Sequence, residues 1–166
     1  MRNIIFLLVC AITLFASCTK KDVTCNRTES TVTASAAETQ NVQTYLNNNG
    51  ITGTTLHPSG FYYKITVAGT GSSVINLCSG VTVKYSGKLT NGTVFDPPAG
   101  SSSTTSTASF SLGNLIIGWQ KGIPLIKSGG KINLYLPPSL GYGAQASGTI
   151  PANSILIFDI ELLNVY

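Results

Sequence analysis

Residues 110–143, FSLGNLIIGWQKGIPLIKSGGKINLYLPPSLGYG, form the stretch of sequence that decides the fold. Its first half carries the only tryptophan of the chain, Trp119, inside an apolar segment over residues 115–126. Apolar side chains recur there at the spacing of one helix face, and two glycines, starting at Gly129, follow the last of them. The pattern predicts one short helix, in which Pro124 is tolerable only near the first turn because few N–H groups there have intrahelical partners.

The second half of the same stretch alternates polar and apolar residues over residues 131–136. That alternation predicts a strand with Ile132, Leu134 and Leu136 on one face, ended by two prolines that cannot donate to a ladder. One short helix beside strands that are apolar on one face predicts a sheet wrapped around the helix. Trp119 is the largest side chain available to lie between them.

Further strands are predicted by the same alternation on both sides of this stretch. They cover residues 61–67, 81–85, 93–96 and 155–163, and the polar, low-complexity residues 97–109 are predicted to form a loop. Four or five mostly antiparallel strands and one central helix place the chain in the α+β class.

The N-terminal residues have the pattern of an export signal. Arg2 supplies a positive charge before an apolar run over residues 4–15, which is too short to span a membrane. Small residues precede Cys18, as in the signal of a bacterial lipoprotein, so residues 1–17 are predicted to be removed and Cys18 to be lipidated. The chain would then be exported and lipid-anchored to a bacterial membrane, at the periplasmic face or the cell surface. The alternative is an ordinary signal peptide cleaved nearby.

Residues 18–57 are predicted to be a tether with a short helix over residues 35–49, and residues 58–166 to be the folded domain. Ser35 and Glu38 have the spacing of a capping box at the start of that helix. The apolar stripe of the helix is predicted to pack on the domain and consists of Val42, Tyr45 and Leu46.

Composition disfavours several classes of function. The net charge of +4 comes from ten basic residues spread along the chain, which argues against nucleic-acid binding. The single histidine, His57, and the six carboxylates disfavour a hydrolase, and no metal site is predicted. Cys25 and Cys78 remain once the leader is removed and Cys18 is lipidated. In an exported chain such a pair predicts one disulfide, with two free thiols as the alternative.

Three segments together resemble the FKBP-type peptidyl-prolyl isomerases: VTVKYSGKLTNGTVFD, the stretch 110–143, and IPANSILIFDIELL near the C-terminus. The resemblance covers residues 60–166 and keeps the order of the family's motifs. It implies an antiparallel half-barrel of five or six strands wrapped around one short helix, in agreement with the pattern above. It also implies cis–trans isomerisation of X–Pro bonds without a nucleophile or a cofactor.

Nine residues fall on the family's proline pocket. The resemblance implies catalytic roles for Tyr85, Asp96, Trp119 and Tyr142, and substrate-binding roles for Phe95, Leu115, Ile116, Ile150 and Phe158. Trp119 would be the floor beneath the proline ring of the substrate. The Ile116 N–H and the Tyr142 hydroxyl would hold substrate carbonyl groups, and Asp96 would be oriented by a hydrogen bond to Tyr85.

Two departures from the family pattern lie at the rim of that pocket. Ala108 stands where an aromatic residue is common, and a Ser/Thr-rich loop follows Asp96. They imply weaker binding of macrolide inhibitors. The expected partners are proline-containing client proteins and, through the lipid anchor alone, a membrane; the chain is expected to be a monomer. The alternative is a non-catalytic chaperone or interaction module on the same fold that binds proline-containing segments without useful turnover.

Overall fold

The structure is a computed structural model that describes residues 24–97 and 105–166. The predicted signal over residues 1–17 and the lipidation of Cys18 lie outside the described residues. The helices and strands are, in chain order, α1 (Ala36–Asn48), β1 (Thr55–Leu56), β2 (Tyr62–Val67), β3 (Gly80–Leu89), β4 (Val94–Asp96), β5 (Ser106–Ser111), α2 (Ile117–Gly122), β6 (Lys131–Leu136) and β7 (Leu156–Val165). Short 3₁₀ turns cover Leu112–Asn114, Ile123–Leu125 and Pro138–Leu140.

The seven strands of the described residues form one antiparallel sheet in the order β1-β2-β6-β7-β3-β4, and β5 pairs with β3 on the same side as β4. The sheet curves around α2, and the inward residues of its central strands form the main core. As predicted, Ile132, Leu134 and Leu136 of β6 are buried together there. The α+β class is therefore confirmed, and the described sheet has seven strands, whereas the pattern indicated four or five and the resemblance five or six.

Helix α2 is shorter than the predicted segment 115–126. It ends at Gly122, and Pro124 lies in the 3₁₀ turn that follows. Pro124 has no N–H for the next α-helical hydrogen bond, and its ring would collide with the preceding turn, so the chain tightens instead of continuing the helix. Ile123 and Ile126 are nevertheless buried in the core, so the apolar spacing identified the buried face correctly.

Helix α1 covers the opposite face of the sheet. Ser35 and Glu38 form the predicted capping box, and Val42 and Leu46 pack on side chains from β2, β6 and β7 in a second, smaller core. Glu38 also accepts a hydrogen bond from the Ser139 N–H at 3.0 Å. Burial alone would raise the pKa of Glu38, but the hydrogen bonds from Ser35 and Ser139 outweigh it and lower that pKa.

The prediction of a loop over residues 97–109 is wrong for its last part. Residues from Ser106 onward form β5, which pairs with β3 from Ser106 opposite Tyr85 to Ser111 opposite Gly80. The sequence shows no clear strand pattern here, because the outward positions of β5 are Ser and Thr and its inward residue Ala108 is small. The pairing is supported by a 2.8 Å hydrogen bond between the Thr82 and Ser109 hydroxyls.

The segment predicted as a tether contacts the domain from Cys25 onward. Cys25 and Cys78 lie close enough for the predicted disulfide, with Cα atoms 5.7 Å apart. Two residues later the Arg27 guanidinium donates to the backbone of the loop before α2. The Ala34 N–H donates to the Ser59 carbonyl at 2.9 Å. Neither helix in residues 24–97 and 105–166 is long and apolar enough to cross a membrane.

Candidate active site

The floor of the site is the indole ring of Trp119, which is only 3% exposed. Helix α2 carries it toward the concave face of the sheet, where three other rings meet it edge-on. The ring centroids of Tyr85, Phe158 and Phe110 lie 5.0, 5.2 and 6.2 Å from that of Trp119, at interplanar angles of 87–89°. Because these three rings stand perpendicular to the indole ring, the face of the indole is directed into the space between the rings.

The walls come from strands whose alternation the sequence predicted. Phe158 of β7 and Phe95 of β4 pack edge-to-face with centroids 5.5 Å apart. Gly87 lies opposite Phe158 in the ladder, and a side chain there would collide with the Phe95 ring. A glycine at this position therefore allows the two rings to close one side of the site.

A polar cluster also lines the cavity, next to Phe95 in the chain. The Tyr85 hydroxyl donates to Asp96 Oδ2 at 2.6 Å, and the Ser106 hydroxyl donates to Asp96 Oδ1 at 2.9 Å. Burial, together with the hydrogen bond to Asp96, raises the pKa of Tyr85 well above its usual range. Tyr85 therefore stays a neutral donor, and Asp96 is held in one orientation by two hydroxyl groups.

Donors near the indole ring have no acceptor within the described residues, and three of them lie on the predicted pocket residues. The backbone N–H of Ile116 lies at the start of α2, where the first helical N–H groups lack partners. The Tyr142 side chain, 41% exposed, projects from the turn after β6. The buried indole N–H of Trp119 is the third. The loop before α2 is itself fixed, since the Gln120 amide donates to the Leu115 carbonyl at 2.7 Å.

These residues enclose one cavity of about 480 Å³. All nine residues that the sequence predicted line it: Tyr85, Phe95, Asp96, Leu115, Ile116, Trp119, Tyr142, Ile150 and Phe158. The cavity has room for a proline ring with its flanking backbone. Its aromatic and aliphatic side chains form the apolar part of the wall, and the polar part comes from the Asp96 cluster, the donors named above, Asn114, Ser147 and Thr149.

Known proteins with the same sequence pattern identify the family. Residues 73–163, more than half of the chain, match the sequence model of the FKBP-type peptidyl-prolyl cis-trans isomerases. The chain belongs to this family. An FKBP-type isomerase named FkpA from Buchnera aphidicola is 47% identical over 107 residues, which are 64% of this chain and 41% of the relative. The isomerase Mip from Coxiella burnetii is 43% identical over 108 residues, 64% of this chain and 45% of the relative.

Solved structures give the same result for the fold. The crystal structure of FkpA from Escherichia coli aligns with a TM-score of 0.65 at 34% identity, over 78% of this chain and 60% of that one. AtFKBP13 aligns with a TM-score of 0.57 at 33% identity, over 68% of this chain and 98% of its own. The FKBP fold is therefore shown, while the chain spans less than half the length of the curated relatives described above.

Sequence reasoning missed several residues of this FKBP cavity. Phe110 lines it beside Trp119, although it is not among the nine residues that the resemblance placed in the pocket. The Ser- and Thr-rich composition of β5 obscured the alternation that puts Ala108 and Phe110 on its inward face. Asn114 and the residues 147–149 also line the cavity, and no local pattern marked them.

The described part of the site contains no histidine or cysteine that could serve in nucleophilic catalysis. Their side chains are the usual bases and thiolates of such catalysis. His57 lies elsewhere, where its Nδ1 accepts the Ser59 N–H and its ring stacks on Phe61. What the arrangement can do is hold an apolar ring on the indole and offer fixed donors to the amide groups on either side of it.

Proposed function

We propose that this chain is a peptidyl-prolyl cis–trans isomerase that acts on X–Pro bonds of exported or surface proteins and assists their folding. The single observation that carries the proposal is the cavity in which all nine predicted residues meet over the Trp119 ring. Membership of the FKBP family and the names of its relatives support the same activity.

The chemical task is rotation about one amide bond. The barrier is roughly 18–20 kcal/mol because resonance must be broken, whereas cis and trans X–Pro forms differ by only about 0.5–1 kcal/mol. Resonance gives the planar amide its charge separation, and much of it is lost in the twisted form. An apolar cavity formed by Trp119, Phe95 and Phe158 therefore disfavours the planar ground state more than the twisted transition state.

The polar groups complete this differential binding. The Ile116 N–H and the Tyr142 hydroxyl, which have no acceptor among the residues that the structure describes, would hold substrate carbonyls in the rotated geometry. Asp96, fixed by the Tyr85 and Ser106 hydroxyls, would act through its oriented charge on the amide, without proton transfer. Each 1.36 kcal/mol of selective stabilisation gives about tenfold in rate, so a few such contacts are enough.

A protease-coupled assay on a proline peptide tests the proposal. Trp119→Ala and Asp96→Ala, each checked for folding by circular dichroism, should both lower kcat/KM. Activity should change little between pH 6 and 8, since no histidine or cysteine lines the cavity. Full activity in both folded variants, or a steep bell-shaped pH profile, would contradict the mechanism. Peptide binding without turnover would instead favour the non-catalytic binding module.

The cellular setting is part of the proposal. Residues 1–17 would be removed and Cys18 lipidated, so that the chain is exported and tethered to a bacterial membrane through its acyl chains alone. In the oxidising compartment outside the cytoplasm Cys25 and Cys78 would form a disulfide. Residues 58–166 would be the isomerase domain, and the preceding residues from Cys25 would form a collar attached to it.

A further inference from the structure

A second layer of contacts lies behind the cavity, at the loop that precedes α2. Arg27 Nη1 donates to the Gly113 carbonyl and Nη2 donates to Asn114 Oδ1, each at 2.7 Å. A Cβ atom at position 113 would lie 2.5 Å from Arg27 Cδ. The arginine can therefore pack against this position only because Gly113 has no side chain. Asn114 in turn lines the cavity.

The guanidinium decides how the Asn114 amide is turned. Arginine offers donors and no acceptor, so only the amide oxygen of Asn114 can face it. The amide nitrogen must then lie on the other side of the same planar group. It makes no hydrogen bond to the residues that the structure describes, so its two N–H groups can bond a ligand held beside Asn114 in the cavity.

Arg27 is held in place by covalent and backbone contacts. It lies two residues after Cys25, which the proposed disulfide would join to Cys78. The neighbouring Leu77 carbonyl accepts the Gly113 N–H at 2.7 Å, so the cysteine-bearing loop and the loop before α2 are joined directly. The N-terminal collar is thereby coupled to one side of the cavity.

We infer that Arg27 is a positioning residue that orients Asn114, and that the Asn114 amide N–H is a specificity-determining donor to a backbone carbonyl of the client near its proline. This inference deepens the proposed function and rests on it. The contact would be made equally in the planar and twisted forms of the substrate. Its loss should therefore raise KM and leave kcat unchanged.

The test measures binding separately from turnover. Binding of a blocked Ala-Phe-Pro-Phe peptide to the oxidised exported chain is followed by the fluorescence of Trp119, the only tryptophan. The key variant is Asn114→Asp, which keeps an oxygen for Arg27 and nearly the same shape but removes the donor. Asn114→Asp, Asn114→Ala and Arg27→Ala should each weaken peptide binding about fivefold, the usual worth of one hydrogen bond.

Two controls make the result specific. Lys64→Ala removes another positive side chain, one that donates to the Thr52 carbonyl away from the cavity, and should leave the dissociation constant unchanged. Arg27→Ala should add no further loss in the Asn114→Ala background, because the arginine acts through the asparagine. Wild-type affinity in Asn114→Asp, or a full Arg27→Ala effect without Asn114, would overturn the inference.

Turnover of the same peptide separates the inference from the proposed function. If the wild-type chain isomerises the peptide and the Asn114 variants bind normally, the inference fails and the isomerase function stands. If the wild-type chain binds without turnover and the variants bind about fivefold more weakly, the isomerase function fails and the positioning of Asn114 is supported. Absence of both binding and turnover in the wild-type chain would overturn both.

Discussion

Removing the proposed Cys25–Cys78 disulfide should destabilise the folded chain and loosen the cavity at the same time. The bond closes a loop with a sequence separation of 53 residues. In the chain-entropy description, cross-linking a loop of that size stabilises by roughly 4 kcal/mol, because the unfolded chain loses freedom.

Contacts that remain without the disulfide decide how much of this stabilisation free energy is lost when the bond is removed. From Ala34 onward the chain stays attached without the bond, through its hydrogen bond to Ser59 and the packing of α1. Residues 25–33 keep mainly the Arg27 contacts, so they can fray and recover part of the lost entropy. The expected loss for the Cys25→Ser/Cys78→Ser variant is therefore about 2–4 kcal/mol. It should lower Tm by roughly 4–16 °C.

Urea denaturation of the oxidised chain and the double serine variant measures this difference. The variant should also show a larger m-value, since its unfolded state exposes more surface. Peptide binding should weaken by the same factor as in Arg27→Ala, because the bond holds that residue in place. Two alkylatable thiols in freshly exported, unreduced protein, or equal stability of the two forms, would refute the reasoning.

Three further predictions concern the rim, the single histidine and the leader. Ala108→Phe, on the inward face of β5, should tighten macrolide binding about fivefold, because the added ring would contribute an apolar contact of roughly 1 kcal/mol. Thr107→Phe, on the outward face, should leave macrolide binding unchanged. Equal inhibitor constants for the two variants would contradict this explanation. Burial, and then the charge of Lys121, lower the pKa of His57 in the folded chain. The unfolding free energy should therefore be steady above pH 6.5 and fall as the pH drops below it, because His57 then takes up a proton more readily in the unfolded chain than in the folded one. His57→Gln should flatten that part of the curve in urea titrations between pH 7 and 5, and an unchanged slope would show that another group is responsible. Mass spectrometry of membrane-extracted protein should find an acylated N-terminal peptide beginning at Cys18, and a soluble product with another N-terminus would exclude the anchor.

The sequence predicted the cavity well because its residues lie in elements with strong local signals. Tyr85 and Phe158 occupy inward positions of long alternating strands, and Trp119 lies in an apolar segment with helix spacing. Such positions are set by periodicity within a few residues. The order of the motifs then related them to one pocket.

The parts that were missed depend on contacts distant in sequence. Ser106 reaches Asp96 only because β5 pairs with β3, and the serine-rich composition of β5 gave no strand signal. Arg27 approaches Asn114 across a separation of 87 residues, which no local pattern encodes. The early end of α2 was partly foreseeable, since Pro124 was recognised as compatible only with a first turn.

Exchange spectroscopy on a proline peptide tests the central claim most directly. Uncatalysed cis–trans interconversion takes tens to hundreds of seconds at 25 °C, too slow to produce exchange cross-peaks within about one second. A catalytic amount of the exported chain should produce such cross-peaks between the two X–Pro forms and leave their ratio unchanged, and Asp96→Ala should abolish or strongly reduce them. Peptide resonances that shift on binding but show no exchange with the wild-type chain would contradict the account.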